Sequence, residues 1–346
     1  MATMRALVVS KNGKLEEALS LTTVPKPTLD ENSSNVLVRV KAAAINPVDA
    51  KIAEGALNIL FTEKFPAGVG IDLSGVVEKA GKGTGYNPGD EVFGAMPMSA
   101  RGSMAQYALL PASSLAFKPQ SLSFVESSAI PVVGVTAFQA LSRHQGNKEV
   151  AFIPGGLGGV GSMALQLAKH HFGFQRTFTT VSTAKVALLK EMIPDVDVVV
   201  DYKKVDPSTI IPAGGVDFVL DPLGTPYVWA KYLRTEAAKK PSLVSIIAPL
   251  KPAVVERTFG VHLGFVLRNL LTVMEWWTAV WIPRQINYES MSADPSVKDL
   301  TTLAELANKG LLKPVISKVF PLDQALEAYQ FADSGKSYGK VVISID

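Results

Sequence analysis

Hydrophobic and polar positions follow two different grammars along the chain, and the change falls near residue 128. In the first stretch, apolar residues come in short runs cut by Gly and Pro. The run 36–41 (Val-Leu-Val-Arg-Val-Lys) alternates apolar and charged side chains, which predicts a half-buried strand. The runs 6–9 (Ala-Leu-Val-Val) and 75–79 (Gly-Val-Val-Glu-Lys) predict two more, and Pro88-Gly89 punctuates a turn over 86–90. Short strands separated by frequent turns predict an antiparallel barrel or sandwich.

Beyond residue 128, strands and helices alternate. Apolar strands are predicted at 150–153, 178–181, 196–200, 218–220 and 243–248, with helices at 160–169, 185–192 and 227–239. Fully apolar strands in such an order predict a parallel sheet covered on both faces. The tail carries an amphipathic helix at 300–308 with Gly310 as its stop, and a helix at 322–332 after Pro321. The last apolar run, 339–345, has no helix after it and is expected to rejoin the first domain.

A length of 346 residues corresponds to about two domains. With 47% hydrophobic and 19% charged residues the chain is not intrinsically disordered. A net charge of +3 gives no footprint for nucleic acid. The absence of Cys excludes disulfides, thiolate nucleophiles, thiolate zinc sites and iron–sulfur clusters. The four His (His144, His170, His171 and His262) fall in no metal-ligand spacing, so no catalytic metal is expected. The opening residues turn directly into a strand-like run, and no uncharged apolar stretch reaches the ~18 residues of a membrane span. A cytoplasmic protein is expected.

The strongest chemical signal is the stretch 153–161, Ile-Pro-Gly-Gly-Leu-Gly-Gly-Val-Gly, between a predicted strand and a predicted helix. Gly156, Gly158 and Gly161 satisfy G-x-G-x-x-G. Such glycines allow a tight turn and a close approach of backbone N–H groups to a pyrophosphate. A helix that begins near Gly159 aims its positive end at that anion. An NAD-binding unit carries an acid about 20 residues further on. Here that position holds 181–185, Val-Ser-Thr-Ala-Lys, without an acid. Ser182, Thr183 and Lys185 suit a 2′-phosphate by hydrogen bonding and charge, which points to NADPH. Tyr202, after the third strand, is placed to cover the adenine ribose. A plainer reading stays open, in which Ser182 caps the next helix and Lys185 is a surface charge.

These segments resemble the medium-chain dehydrogenase/reductase superfamily, in its zinc-free quinone oxidoreductase and enoyl reductase branch. The resemblance is carried by 42–51 (Ala-Ala-Ala-Ile-Asn-Pro-Val-Asp-Ala-Lys), 70–77, 89–94, 134–137, the glycine turn and 339–342, in the family's order. It implies an α/β protein. A GroES-like β-barrel is formed by 1–127 and completed by 286–346, and a Rossmann domain with a doubly wound parallel sheet occupies 128–285. It also implies an active site in the cleft between them, and hydride transfer from NADPH to a quinone or α,β-unsaturated carbonyl. By the same resemblance, cofactor contacts fall on Thr136, Gly158, Gly159, Val160, Leu223 and Ala248; Thr136 is expected to open a helix. Zinc-dependent relatives place Cys near Asn46 and a His-Glu pair near Ile71-Asp72, and none of these ligands is present.

Without a metal, another group must stabilise charge that develops on the substrate oxygen. Lys51 is the candidate, as a polarising cation or proton donor. Asn46 is a candidate donor to the nicotinamide ribose or substrate, and Asp49 a candidate to hold Lys51. Each has a bland alternative: a solvated charge, a turn residue and a helix cap. The segment 265–282 holds three of the four Trp. It lines the substrate cleft or packs in the core, forms a homodimer contact, or lies on a membrane as an interfacial helix. That segment also motivates the alternative function, a non-enzymatic NADPH-binding scaffold or peripheral membrane protein.

Overall fold

Alternation at 36–41 becomes strand Asn35–Ala44, whose own pairings are all antiparallel. The computed structural model describes residues 2–60 and 63–346. Two units are distinguished: residues up to Val135 with Phe259–Val261 and Pro295–Asp346, and Thr136–Thr258 with His262–Asp294.

In the first unit, a seven-stranded sheet runs in the order Ile316–Pro321, Lys340–Ser344, Asn35–Ala44, Asp72–Ala80, Glu91–Ala95, Leu115–Phe117, with Tyr107–Pro111 also pairing Asn35–Ala44. A three-stranded sheet is formed by Leu19–Pro25, Thr3–Val9 and Ala67–Gly68. The apolar run 339–345 does rejoin this unit: Ile343 lies opposite Ala43 in antiparallel register. Strand Asn35–Ala44 is more deeply buried than simple alternation predicts, with Arg39 its exposed residue. Its far face is covered by Phe124, Val125 and Ala129, which pack on Ala42, Ala44 and Val342.

The second unit is built on six parallel strands in the order Val198–Asp201, Arg176–Val181, Val150–Pro154, Phe218–Asp221, Ser242–Ser245, Asn287–Ser290. In chain order that is 3-2-1-4-5-6, the doubly wound Rossmann arrangement. Strand order reverses between Val150–Pro154 and Phe218–Asp221, the switch point at which such sheets bind ligands.

Three expectations are corrected here. The helix predicted over 227–239 stops at Ala230, because the chain turns to bridge strand-like to Val216. The Val216 N–H donates to Tyr232 and the Arg234 N–H returns the bond to Val216, at 2.9 and 2.8 Å. Both bounds of the second unit shift: residues 128–135 fall with the first unit, and residues 286–294 belong with the second, since Asn287–Ser290 pairs Ser242–Ser245. Thr136 lies inside helix Pro131–Ser142 rather than at its start, which Pro131 takes.

Helix Phe265–Val280 has no buried residue, so the core-packing reading of the Trp-rich segment is corrected for the helix, whereas Ile282 at the segment's end joins the core. Among the described residues, no helix is long and apolar enough to cross a membrane.

Candidate active site

The buried strand Val150–Pro154 delivers the chain to Gly155, whose φ of +69° lies in the left-handed region where glycine alone is unstrained. The Gly158 N–H donates to the Gly155 carbonyl at 2.9 Å and closes the turn. Helix Gly159–His170 follows with Gly158 at its N-cap, where no side chain satisfies the first-turn amides. A Cβ at Gly156 would lie 2.2 Å from Thr179 Oγ1, and one at Gly161 2.4 Å from the Gly155 carbonyl oxygen. Both contacts are far inside van der Waals separation, so only glycine lets the helix end stand this close to the strand. Leu157, the bulky residue within the turn, is buried. Gly156, Gly158, Gly159 and Val160 thus share one close turn that could receive a dinucleotide diphosphate.

Strand Arg176–Val181 ends beside it. Ser182 stands at the cap position of the following 3-10 turn Thr183–Lys185, but its side chain makes no capping bond. Tyr202 comes into the same corner through its N–H, 3.2 Å from the Val181 carbonyl, and its ring is exposed. The structure therefore brings Ser182, Thr183, Lys185 and Tyr202 together. It adds two residues that sequence reasoning passed over. Asp201 accepts from Thr183 Oγ1 at 3.0 Å and from the Lys203 N–H at 3.1 Å, and the Lys203 ammonium sits 5.6 Å from the Tyr202 ring centre. An acid at the end of the third strand, rather than the second, was the available signal.

Leu223 and Ala248 follow the fourth and fifth strands at the same sheet edge. Leu223 is exposed, whereas Ala248 is buried. Their loops are set by Asp221, which is buried. It accepts from the amides of Leu223 and Gly224, from Trp229 Nε1 and from Ser245 Oγ, at 2.8–3.1 Å.

In the first unit, Asn46 and Asp49 are buried in a polar knot with two residues that had been given no role, Asp72 and Lys340. Asn46 heads helix Pro47–Ala53. Its Nδ2 donates to Asp72 Oδ2 at 2.9 Å, and the Lys340 ammonium donates to Asn46 Oδ1 at 2.7 Å and Asp72 Oδ2 at 3.1 Å. Asp72 Oδ1 takes the Val132 N–H at 2.9 Å. Asp49 Oδ2 accepts the Asn46 N–H at 2.9 Å and lies 3.4 Å from the Tyr329 hydroxyl. The expected hold of Asp49 on Lys51 is absent. Positions i and i+2 face different sides of a helix, and Lys51 is exposed while Asp49 is buried. Among the described residues, the Lys51 ammonium has no hydrogen-bond or ion-pair partner.

Burial, the largest influence, pushes the Asp49 carboxyl up to about 7, against the opposing pull of the Asn46 amide and the Lys340 charge. Its Oδ1 has no partner among the described residues. A carboxyl near 7 in the folded chain and near 4 in the unfolded one carries an extra proton when folded between those values. Stability is therefore expected to fall as pH rises through that window, by at most about 1.4 kcal/mol per pH unit. Urea midpoints from pH 5 to 8 should decline more steeply for the wild type than for Asp49→Asn. Parallel profiles would show that Asp49 titrates elsewhere.

The donor set does not suit the zinc of related dehydrogenases. Asn46 and Asp72 are engaged with the Lys340 ammonium, and among the described residues no group of three or more His, Cys, Asp or Glu could hold a metal.

Comparison with known proteins agrees with this architecture. Residues 32–120 match the alcohol dehydrogenase GroES-like domain, and residues 195–343 match a family described as zinc-binding dehydrogenase. The chain is 31% identical to the trans-enoyl reductase pgmF of Aspergillus terreus, over 90% of this chain and 86% of that protein. It is 28% identical to the bovine NAD(P)H oxidoreductase RTN4IP1, named as mitochondrial, over 99% of this chain and 89% of the relative. A quinone oxidoreductase structure from Coxiella burnetii superposes with a TM-score of 0.80 at 24% identity, covering 100% of both chains. Barrel strands, glycine turn, strand order and relatives converge: this chain belongs to the medium-chain dehydrogenase/reductase superfamily.

Proposed function

We propose that this protein is an NADPH-dependent reductase of α,β-unsaturated carbonyls, with quinones as acceptors of the same electronic type. The family and its relatives support NAD(P)H-linked oxidoreduction. The finer reading is carried by one observation: the corner beside the glycine turn gathers Ser182, Thr183, Lys185, Tyr202 and Lys203, while Asp201 is engaged by Thr183 and a backbone amide. Hydroxyls and ammonium groups favour a 2′-phosphate there. The enone class is supported by likeness to a trans-enoyl reductase.

When bound, NADPH would supply a hydride to the β-carbon of the acceptor, and the enolate so formed would take one proton from water at its α-carbon. The glycine turn binds the diphosphate and orients the cofactor. The loops after Asp221 and Ser245 border the same edge. Lys51, exposed and unpaired among the described residues, is the proposed source of positive charge for the substrate oxygen. Asn46 and Asp49 act as positioning residues that fix helix Pro47–Ala53 and so the base of Lys51.

The test is oxidation of NADPH and NADH against a matched panel of enones and quinones. Saturable turnover is expected, with kcat/KM at least about tenfold higher for NADPH, which is about 1.4 kcal/mol. Lys51→Ala should lower kcat on enones by roughly 10²-fold, with little change in the KM for NADPH. Inertness across the panel despite NADPH binding would remove the reductase assignment, and unaltered turnover would remove Lys51.

A further inference from the structure

The second unit carries a hollow that the reaction above does not use. Its volume is about 490 Å³, and it is lined by Gly224, Tyr227, Trp277, Thr278 and Trp281. That size falls within the range of small-molecule sites. Its position follows from the sheet. The loop after Phe218–Asp221 begins at Pro222, and a Cβ on Gly155 of the glycine turn would come within 3.8 Å of Pro222 Cγ. Two residues on, Gly224 has a φ of +74°, and a Cβ there would press on Ile247 Cγ2 at 3.2 Å. The loops after the fourth and fifth strands therefore lean together at the edge where a parallel sheet receives its ligands. The end of helix Phe265–Val280 supplies the other wall.

The wall chemistry is narrow. None of the five lining residues carries a formal charge. Trp277 and Trp281 meet edge to face with ring centres 5.9 Å apart. Thr278 Oγ1 donates to the Met274 carbonyl at 2.9 Å, so its one proton is used within its own helix. Tyr227, Trp277 and Trp281 are 57%, 58% and 63% exposed, an unusual state for three large rings around one hollow. Rings that remain wet in the free protein gain most when a hydrocarbon displaces that water. An anionic lipid headgroup or a charged acyl carrier has no counter-charge in these walls.

We propose that this hollow binds the uncharged hydrocarbon part of the acceptor, and that the protein selects enones or quinones bearing an apolar tail over the bare reacting group. The inference rests on the reductase reading for its reacting group and on the aromatic walls for its tail. Helix Phe265–Val280 becomes a specificity element, and Trp281 and Trp277 are the residues that set it.

The test compares methyl vinyl ketone with octyl vinyl ketone, which share a reacting group and differ in tail. Each buried methylene is worth about fourfold, so even partial burial should give the long ketone at least about a 30-fold advantage in kcat/KM. Trp281→Ser removes a wall, and Thr278→Trp fills the hollow; each should cut that ratio at least about fivefold, by about 1 kcal/mol of discrimination. A ratio that neither variant changes would overturn the proposal. So would a ratio near one in the wild type. If no enone is turned over, the reductase reading fails by itself and calorimetry with the saturated ethyl octyl ketone decides the hollow. Binding weakened by both variants supports it, and binding that is absent or indifferent to both overturns it. Vesicle co-sedimentation or dimerisation lost in Trp281→Ser, with the chain-length ratio intact, would also overturn it and assign the helix to that other surface.

Discussion

Lys340→Met is expected to destabilise the first unit by about 3–5 kcal/mol, the usual cost of stranding one member of a buried ion pair. The Lys340 and Asp72 side chains are only 4% and 0% exposed, and their charges are 3.1 Å apart. Removing the ammonium leaves Asp72 Oδ2 with Asn46 Nδ2 alone and strips the donor from Asn46 Oδ1. An uncompensated carboxylate at that depth has no route to water. The Asp72→Asn, Lys340→Met double variant removes both charges at once and should recover at least half of the loss. Urea unfolding of the two single variants and the double variant measures the coupling. A single-variant loss under about 1 kcal/mol would mean that solvent reaches the knot after all.

The second large effect is at the glycine turn. Gly161→Ala is expected to weaken NADPH binding by at least about 100-fold, or about 2.7 kcal/mol. The added Cβ would stand 2.4 Å from the Gly155 carbonyl oxygen and 3.0 Å from Gly156 Cα. Both obstacles are backbone, so no side-chain rotation relieves them. The helix must retreat from the turn, and its first amides then withdraw from the diphosphate. Gly83, where a Cβ would meet nothing within 4 Å although its φ is +77°, supplies a control away from the turn. Gly83→Ala should leave NADPH affinity near that of the wild type despite some backbone strain. Calorimetry on folded protein reads both. Affinity within threefold of the wild type in Gly161→Ala would contradict the cradle.

Periodicity made much of the fold legible. The alternation at 36–41, the apolar runs at 150–153 and 218–220, and the returning run at 339–345 each match an observed strand. The glycine turn was legible too, because close backbone approach leaves glycine as the only solution. Illegible features depended on partners distant in the chain. The helix predicted beyond Ala230 failed because Val216 recruits residues 232–234 into a bridge, which no local pattern encodes. Asn46 and Asp49 were singled out for chemistry, but they lie in a buried knot that includes Lys340, 294 residues from Asn46. Asp49 was paired with Lys51 by adjacency in sequence, although helical geometry separates them. The Trp-rich run left cleft or core, dimer contact and membrane surface open by sequence, and helix Phe265–Val280 has half-buried residues such as Leu267 and Leu271 but no fully buried one.

The long separation between Lys340 and its partners has a consequence for synthesis on the ribosome. Asn46 and Asp72 emerge early, and the cation that neutralises them is translated only after the whole parallel-sheet unit. That unit is nearly contiguous and can consolidate while still tethered. The barrel must wait with an acidic gap in its wall until the distant strand Lys340–Ser344 slides in beside Asn35–Ala44. Its closure thus comes late, after the parallel-sheet unit has been made, and until then the open wall is exposed to chaperones and to premature association.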